Sequence, residues 1–183
     1  MSGAGRVRAV QDPLKLRPFI RDIPDFPTAG ILFRDITPLL KHGPVFKRAI
    51  RGLARGHRRP HPDAVVAVES RGLIVGSALA YELGVGMVPV RKQGKLPHDT
   101  YRASYTLEYG RDTLEIHRDG VKRGMRVLLV DDLLATGGTM AATVRLIERC
   151  GGRIAELAFL VELTGLNGRK RLAPHPVTAL VQY

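Results

Sequence analysis

The stretch Val127-Leu-Leu-Val-Asp131-Asp132-Leu-Leu-Ala135-Thr136-Gly137-Gly138-Thr139 constrains this chain more tightly than any other part of it. Two carboxylates stand at the carboxyl end of a hydrophobic run, and a turn of small residues follows and opens a helical pattern. In open α/β sheets, ligands bind at such strand ends. Glycines and short side chains let backbone N–H groups approach a phosphate, the helix N-terminus adds its dipole, and Thr136 and Thr139 add hydroxyl donors. Asp131 and Asp132 would repel a phosphate. They suit either ribose hydroxyls, which donate to carboxylates, or a magnesium ion held through its waters. A plain loop whose aspartates cap the helix leaves the coincidence of apolar run, acid pair and Thr-Gly-Gly-Thr turn unexplained. Other phosphate motifs fit less well: Gly94-Lys95 is followed by Leu96 and position 89 is proline, and no Gly-x-Gly-x-x-Gly follows a strand.

Around this motif, short apolar runs alternate with helical stretches, the pattern of parallel strands joined by crossover helices. The expected strands are Ala64 to Val68, Val85 to Val90, Arg126 to Val130, Ile154 to Val161 and Val177 to Val181. Helices are expected over Leu73 to Leu83 and Gly138 to Cys150, with another at Pro44 to Gly56, where Val45, Ala49, Ile50 and Leu53 form an apolar stripe. Ahead of these, a short helix at Pro13 to Arg21, a turn at Pro24-Asp25-Phe26-Pro27 and an extended piece at Ile31 to Arg34 form a segment that must pack on something else. Ala103 to Glu108 and Thr113 to His117 read as a hairpin turned near Gly110, interrupting the sheet and suited to be a lid. At 183 residues and 44% hydrophobic content, the chain is expected to form one domain over 1–183.

The formal charge of +12 invites a nucleic-acid reading, because clustered Lys and Arg displace counterions from phosphates. Its distribution argues otherwise. The excess falls in separate places, Arg48 to Arg59, Arg91 to Lys95, Lys122 to Arg126 and Arg169 to Arg171, and aromatic content is 5%, poor material for stacking bases. Cys150, the single cysteine, ends an apolar helical pattern and reads as a structural thiol. No signal-peptide run or membrane-length segment is visible, so a cytoplasmic protein is expected.

The acid pair and its Ala-Thr-Gly-Gly-Thr turn resemble the site for phosphoribosyl pyrophosphate in the type I phosphoribosyltransferases. Further segments resemble the adenine-specific members of that family. They are Phe26-Pro27 through Gly30-Ile31-Leu32-Phe33-Arg34-Asp35-Ile36-Thr37-Pro38, then Glu69-Ser70-Arg71-Gly72, Arg91-Lys92-Gln93-Gly94-Lys95-Leu96-Pro97, Ser104-Tyr105-Thr106-Leu107-Glu108-Tyr109-Gly110 and Val161-Glu162-Leu163. These run in the family's order from about position 14 onward.

The resemblance implies a mostly parallel central sheet flanked by helices, an N-terminal hood at about 1–38 and a flexible hairpin lid at about 92–117. It implies transfer of the phosphoribosyl group to adenine, giving AMP and pyrophosphate, with Mg2+ and a homodimer. Leu32 and the backbone of Arg34 would then recognise adenine, a fixed N–H and C=O reading the amine beside a ring nitrogen, and Leu163 would be a further substrate contact. Asp131 and Asp132 would hold the ribose, with Mg2+ bound indirectly, and Ala135, Thr136, Gly137, Gly138 and Thr139 the 5-phosphate. Glu69, Ser70 and Arg71, where a non-proline cis peptide is expected at Glu69-Ser70, would hold pyrophosphate beside Arg91, Lys92 and Lys95. Glu108 is the expected acid/base group and Tyr105 a further contact to the ribose or phosphate.

Ala29 departs from the proline common in the family, and the basic stretch Arg55 to His61 lies outside its motifs. Two rivals stay open. A 6-oxopurine enzyme would prefer hypoxanthine or guanine, and a non-catalytic regulator would bind nucleic acid with steep salt dependence and consume no base.

Overall fold

A computed structural model describes residues 12–57, 60–107 and 110–183. Its centre is a seven-stranded sheet whose elements are β3 (Ala64–Val68), β4 (Gly86–Lys92), β5 (Thr100–Leu107), β6 (Gly110–His117), β7 (Arg126–Leu134), β8 (Arg153–Glu162) and β9 (Val177–Gln182), in the order β5-β6-β4-β3-β7-β8-β9. The run from β4 to β9 is parallel, as the alternating pattern predicts, and β6 joins β4 antiparallel. The hairpin therefore extends the sheet where an interruption was expected. Arg91 pairs with Glu115 and Lys92 with Leu114, which carries the hydrogen-bond ladder outward from β4.

Alternation along the buried strands divides the core. Val65, Leu128, Val130, Ala158 and Leu160 face α2 (Gly43–Ala54) and α3 (Arg71–Leu83), whereas Val66, Val68, Leu129, Leu157 and Phe159 face α4 (Gly138–Cys150). Successive side chains of a strand point to opposite faces, so a strand covered on both sides reads as an unbroken apolar run. The stripe expected on α2 is buried as predicted, and Cys150 at the end of α4 is half-buried and free.

The hood is built differently from the expectation. Asp12 accepts from the Leu16 and Arg17 N–H groups at 2.8 and 2.9 Å, and the chain makes only a 3-10 turn at Arg17–Phe19 where a helix to Arg21 was expected. Arg21 instead begins β1 (Arg21–Ile23), which pairs antiparallel with β2 (Phe33–Asp35). The short helix α1 (Thr37–Lys41) follows. Leu16, Ile20, Ile36 and Leu39 anchor this segment in the core shared with α2. The turn between the strands closes without any bond through residue 29: Gly30 N–H donates to Asp25, Ile31 N–H to Thr28 and Phe26 N–H to Ile31. Alanine at 29 therefore leaves the turn intact.

Close packing of α3 on β3 depends on Gly76, where a Cβ would overlap that of Ala67. Replacing Gly76 by valine should lower unfolding free energy by about 1–3 kcal/mol, the usual cost of overpacking. The urea midpoint should fall while far-ultraviolet circular dichroism of the folded protein stays native.

Candidate active site

Strand β7 does not stop at Val130, as expected, but continues by pairing Asp131 with Phe159 and Leu133 with Val161. The acid pair is thereby held inside the ladder, which fixes the direction of both side chains. Gly137 follows with φ of 78°, a conformation that favours glycine, and α4 begins at the next residue. A Cβ on Gly137 would lie 2.9 Å from the carbonyl oxygen of Gly168, the first residue of α5 (Gly168–Leu172). Asp131, Ala135, Thr136, Gly137, Gly138 and Thr139 line one open pocket.

The start of α3 covers the two acids. Gly72 approaches so closely that a Cβ there would sit 2.6 Å from Asp131 Oδ1. Arg71, the preceding residue, donates from Nε to Asp132 Oδ2, and the Asp132 N–H donates to Asp131 Oδ1 at 2.8 Å. Burial, then the neighbouring Asp132 charge, push the Asp131 carboxyl well above its ordinary value.

Cationic groups converge on the same edge. Glu69 and Ser70 are joined by the expected cis peptide. Arg91 Nε donates to Glu69 Oε2 at 2.8 Å, and the Lys92 N–H reaches the same oxygen at 3.1 Å. Lys95 lies one turn further on, its carbonyl accepting from Arg91 at 3.3 Å. Phe33 of the hood faces the Arg71 guanidinium at 5.1 Å, so Arg71 joins the hood to the acid pair. Leu32 is exposed and Leu163 half-buried. Arg169 and Gln182 hold the buried Glu162 carboxylate at 2.6 to 2.9 Å, which fixes the chain just before Leu163.

Asp112, absent from the sequence-derived set, orders the hairpin end of the site. Its carboxylate meets Lys92 Nζ at 3.0 Å and the Tyr105 hydroxyl at 3.3 Å, and that hydroxyl also reaches Thr139. Burial alone would raise the Asp112 pKa, but its hydrogen bonds from Lys92 and the Thr113 N–H lower it. The facing of Tyr105 and Asp112 follows from the hairpin register, which the sequence does not specify. Glu108, the expected acid/base group, lies outside the described residues.

The donor set fits magnesium held at second hand. Among the described residues no group of three His, Cys, Asp or Glu side chains could hold a metal unaided. Two carboxylates already engaged by Arg71 and a backbone N–H suit an ion that keeps its waters and takes oxygens from a phosphorylated ligand.

Comparison with known proteins agrees with this geometry. A family model for the phosphoribosyl transferase domain matches residues 39–178. The adenine phosphoribosyltransferase of Chloroflexus aurantiacus is 56% identical over 168 residues, 92% of this chain and 97% of that protein. The chain belongs to the adenine phosphoribosyltransferase family. A crystal structure of the family's member from Rhodothermus marinus superposes with a TM-score of 0.88 at 52% identity, covering 92% of this chain and 96% of that one. A more distant member, from Trypanosoma brucei, was solved in complex with AMP, pyrophosphate and ribose-5-phosphate. It is 25% identical, with a TM-score of 0.86 over 93% of this chain and 80% of its own.

The raised Asp131 pKa fixes the sign of a stability effect. A carboxyl that holds its proton more tightly in the fold favours the fold at low pH, and that contribution is lost as pH rises from the ordinary value of 3.8 through the raised one. Asp131→Asn retains the oxygen that accepts from Asp132 and removes the buried charge. Urea titrations across acidic to neutral pH should show this variant more stable than the native chain at pH 7 and no more stable below the ordinary carboxylate range.

Proposed function

We propose that this chain transfers the 5-phosphoribosyl group of phosphoribosyl pyrophosphate to adenine, releasing pyrophosphate and AMP. The observation that carries the reading is one pocket shared by Asp131 and the Ala135 to Thr139 turn, with the Arg71 guanidinium bound to the adjacent Asp132. A phosphate grip, a pair of hydroxyl acceptors and a cationic edge then lie in the order in which the donor presents its groups.

In this mechanism the backbone N–H groups of 135–139 grip the 5-phosphate at the start of α4. Asp131 and Asp132 accept from the ribose hydroxyls. Ser70, Arg71, Arg91, Lys92 and Lys95 surround the pyrophosphate, and Glu69 orients Arg91 and the Lys92 backbone toward it. Asp131 and Asp132 would hold magnesium through its waters, and the bound ion would offset negative charge on the leaving pyrophosphate. Leu32, the Arg34 main chain and Leu163 hold adenine so that N9 faces the anomeric carbon. A bond forms from N9 to C1 as the C1–oxygen bond breaks, the bonding pair leaves with pyrophosphate, and Glu108 takes the proton from the ring. Tyr105, beside Thr139, closes the phosphate side, and excluding water there protects an oxocarbenium-like centre from hydrolysis. A cytoplasmic location and a homodimer belong to the same reading. The described residues contain no helix long and apolar enough to cross a membrane.

The test supplies the sugar donor and magnesium with each free base in turn. Adenine should be consumed with equal formation of AMP and pyrophosphate, whereas a preference for hypoxanthine or guanine would support the 6-oxopurine rival. Salt-sensitive nucleic-acid binding without turnover would support the regulator.

Asp132→Asn should lower kcat by about a hundredfold or more, because it removes a charged contact made at the reacting sugar. Glu108→Ala should lower kcat by about 10²–10⁴-fold with donor affinity largely kept. A loss of donor affinity alone, measured by equilibrium binding, would contradict that assignment.

A further inference from the structure

Tyr183 stands outside every motif that pointed to the site, yet it touches both segments assigned to the base. Two guanidinium groups meet its ring, with the central carbons of Arg34 and Arg17 at 3.9 and 4.2 Å from the ring centre. Arg34 also pairs with Asp22, its register partner in the β1–β2 sheet, and Arg17 donates to the Gln182 carbonyl. On its other side, the Tyr183 carbonyl accepts from the Thr164 N–H at 2.9 Å and the Thr164 hydroxyl at 2.7 Å, and its own N–H donates to the Glu162 carbonyl. Thr164 and Glu162 flank Leu163. One residue thus spans the gap between the hood strand and the end of β8.

The nature of the contact narrows its role. Two like charges on one ring are tolerable because the negative π surface attracts each. Both the Tyr183 hydroxyl oxygen and Arg34 Nε are buried without a hydrogen-bond partner. The Tyr183 hydroxyl therefore makes no hydrogen bond here, and the ring is what the two guanidinium groups meet. The phosphate turn closes elsewhere, on Gly168.

Resting on the function proposed above, we infer that Tyr183 is a positioning residue for the purine. By clamping the Arg34 side chain and anchoring Thr164, it fixes the distance between the Arg34 main chain and Leu163, and so sets affinity for the base independently of the sugar donor.

Steady-state kinetics of the full chain, with adenine and donor varied separately, test this. Tyr183→Ala should raise KM for adenine by about tenfold or more, while KM for the donor moves by less than about threefold. Tyr183→Phe, which keeps the ring, should restore the native adenine KM. Arg17→Gln removes one of the two cations that meet the ring and leaves the ring itself, and should give an intermediate rise even if Tyr183→Ala fails to fold. An unchanged adenine KM in Arg17→Gln and in any folded Tyr183→Ala protein would overturn the inference, as would equal shifts in both KM values or a Phe variant no better than Ala. In those cases the native chain still converts adenine and the proposed function stands. A native chain that converts no adenine would overturn both.

Discussion

The meeting of α3 with the end of β7 is the constraint on which the rest of this protein depends. Two adjacent carboxylates are buried there, and burial of like charges is costly unless each is engaged. Gly72 allows the helix backbone to close over Asp131, while Arg71, one residue earlier, gives Asp132 its counter-charge. A larger residue at 72 would displace the helix start from the acids and separate the two loops flanking β3 and β7. The cis-linked Glu69-Ser70 turn and the hood both take their place from that helix start, the first by continuity and the second through Phe33 on Arg71.

Positive charge has a comparable division of labour. Arg91 is held by Glu69, Lys92 by Asp112 and Arg71 by Asp132, so each of these three cations has a carboxylate that fixes its direction without surrounding it. The Arg91 and Lys92 pairs are partly exposed and contribute little to stability. Their worth lies in orientation, since a guanidinium already pointed at a phosphate loses less freedom when the anion arrives. Asp112 raises the pKa of Lys92 through its hydrogen bond, which keeps that ammonium charged. Other cations in the +12 excess are spent on structure. Arg17 and Arg34 stack on Tyr183, Arg118 and Arg149 face Tyr101, and Arg169 neutralises Glu162.

The parallel strands and long helices were legible because one physical signal determined each of them. Ala64–Val68 was read to the residue, since a strand buried on both faces has no polar position to blur its ends. Gly138 to Cys150 was equally clear, bounded by a glycine turn and the left-handed Gly151. The errors fell where local propensity gives way to distant partners. Pro13 to Arg21 has the composition of a helix start, but Arg21 bonds to Asp35 at 2.7 and 3.1 Å, and this contact draws it into a strand. The chain past Val130 reads as a loop in isolation and becomes strand because β8 runs beside it.

Site residues divided along the same line. Asp131 and the 135–139 turn, singled out in the sequence by residue type and spacing, do meet at one pocket, and that juxtaposition was legible because it is written locally. Asp112 and Tyr183 were missed because neither residue type is unusual where it stands. Asp112 acquires meaning only when the hairpin register brings it beside Tyr105 and against Lys92, and Tyr183 only when the hood folds back across the end of β9. Residues that touch a ligand leave a chemical signature in sequence, whereas residues that hold them in place are recognisable only through contacts made far along the chain. The contact of Arg34 with Tyr183 joins segments far apart in the chain, and no local motif contains it.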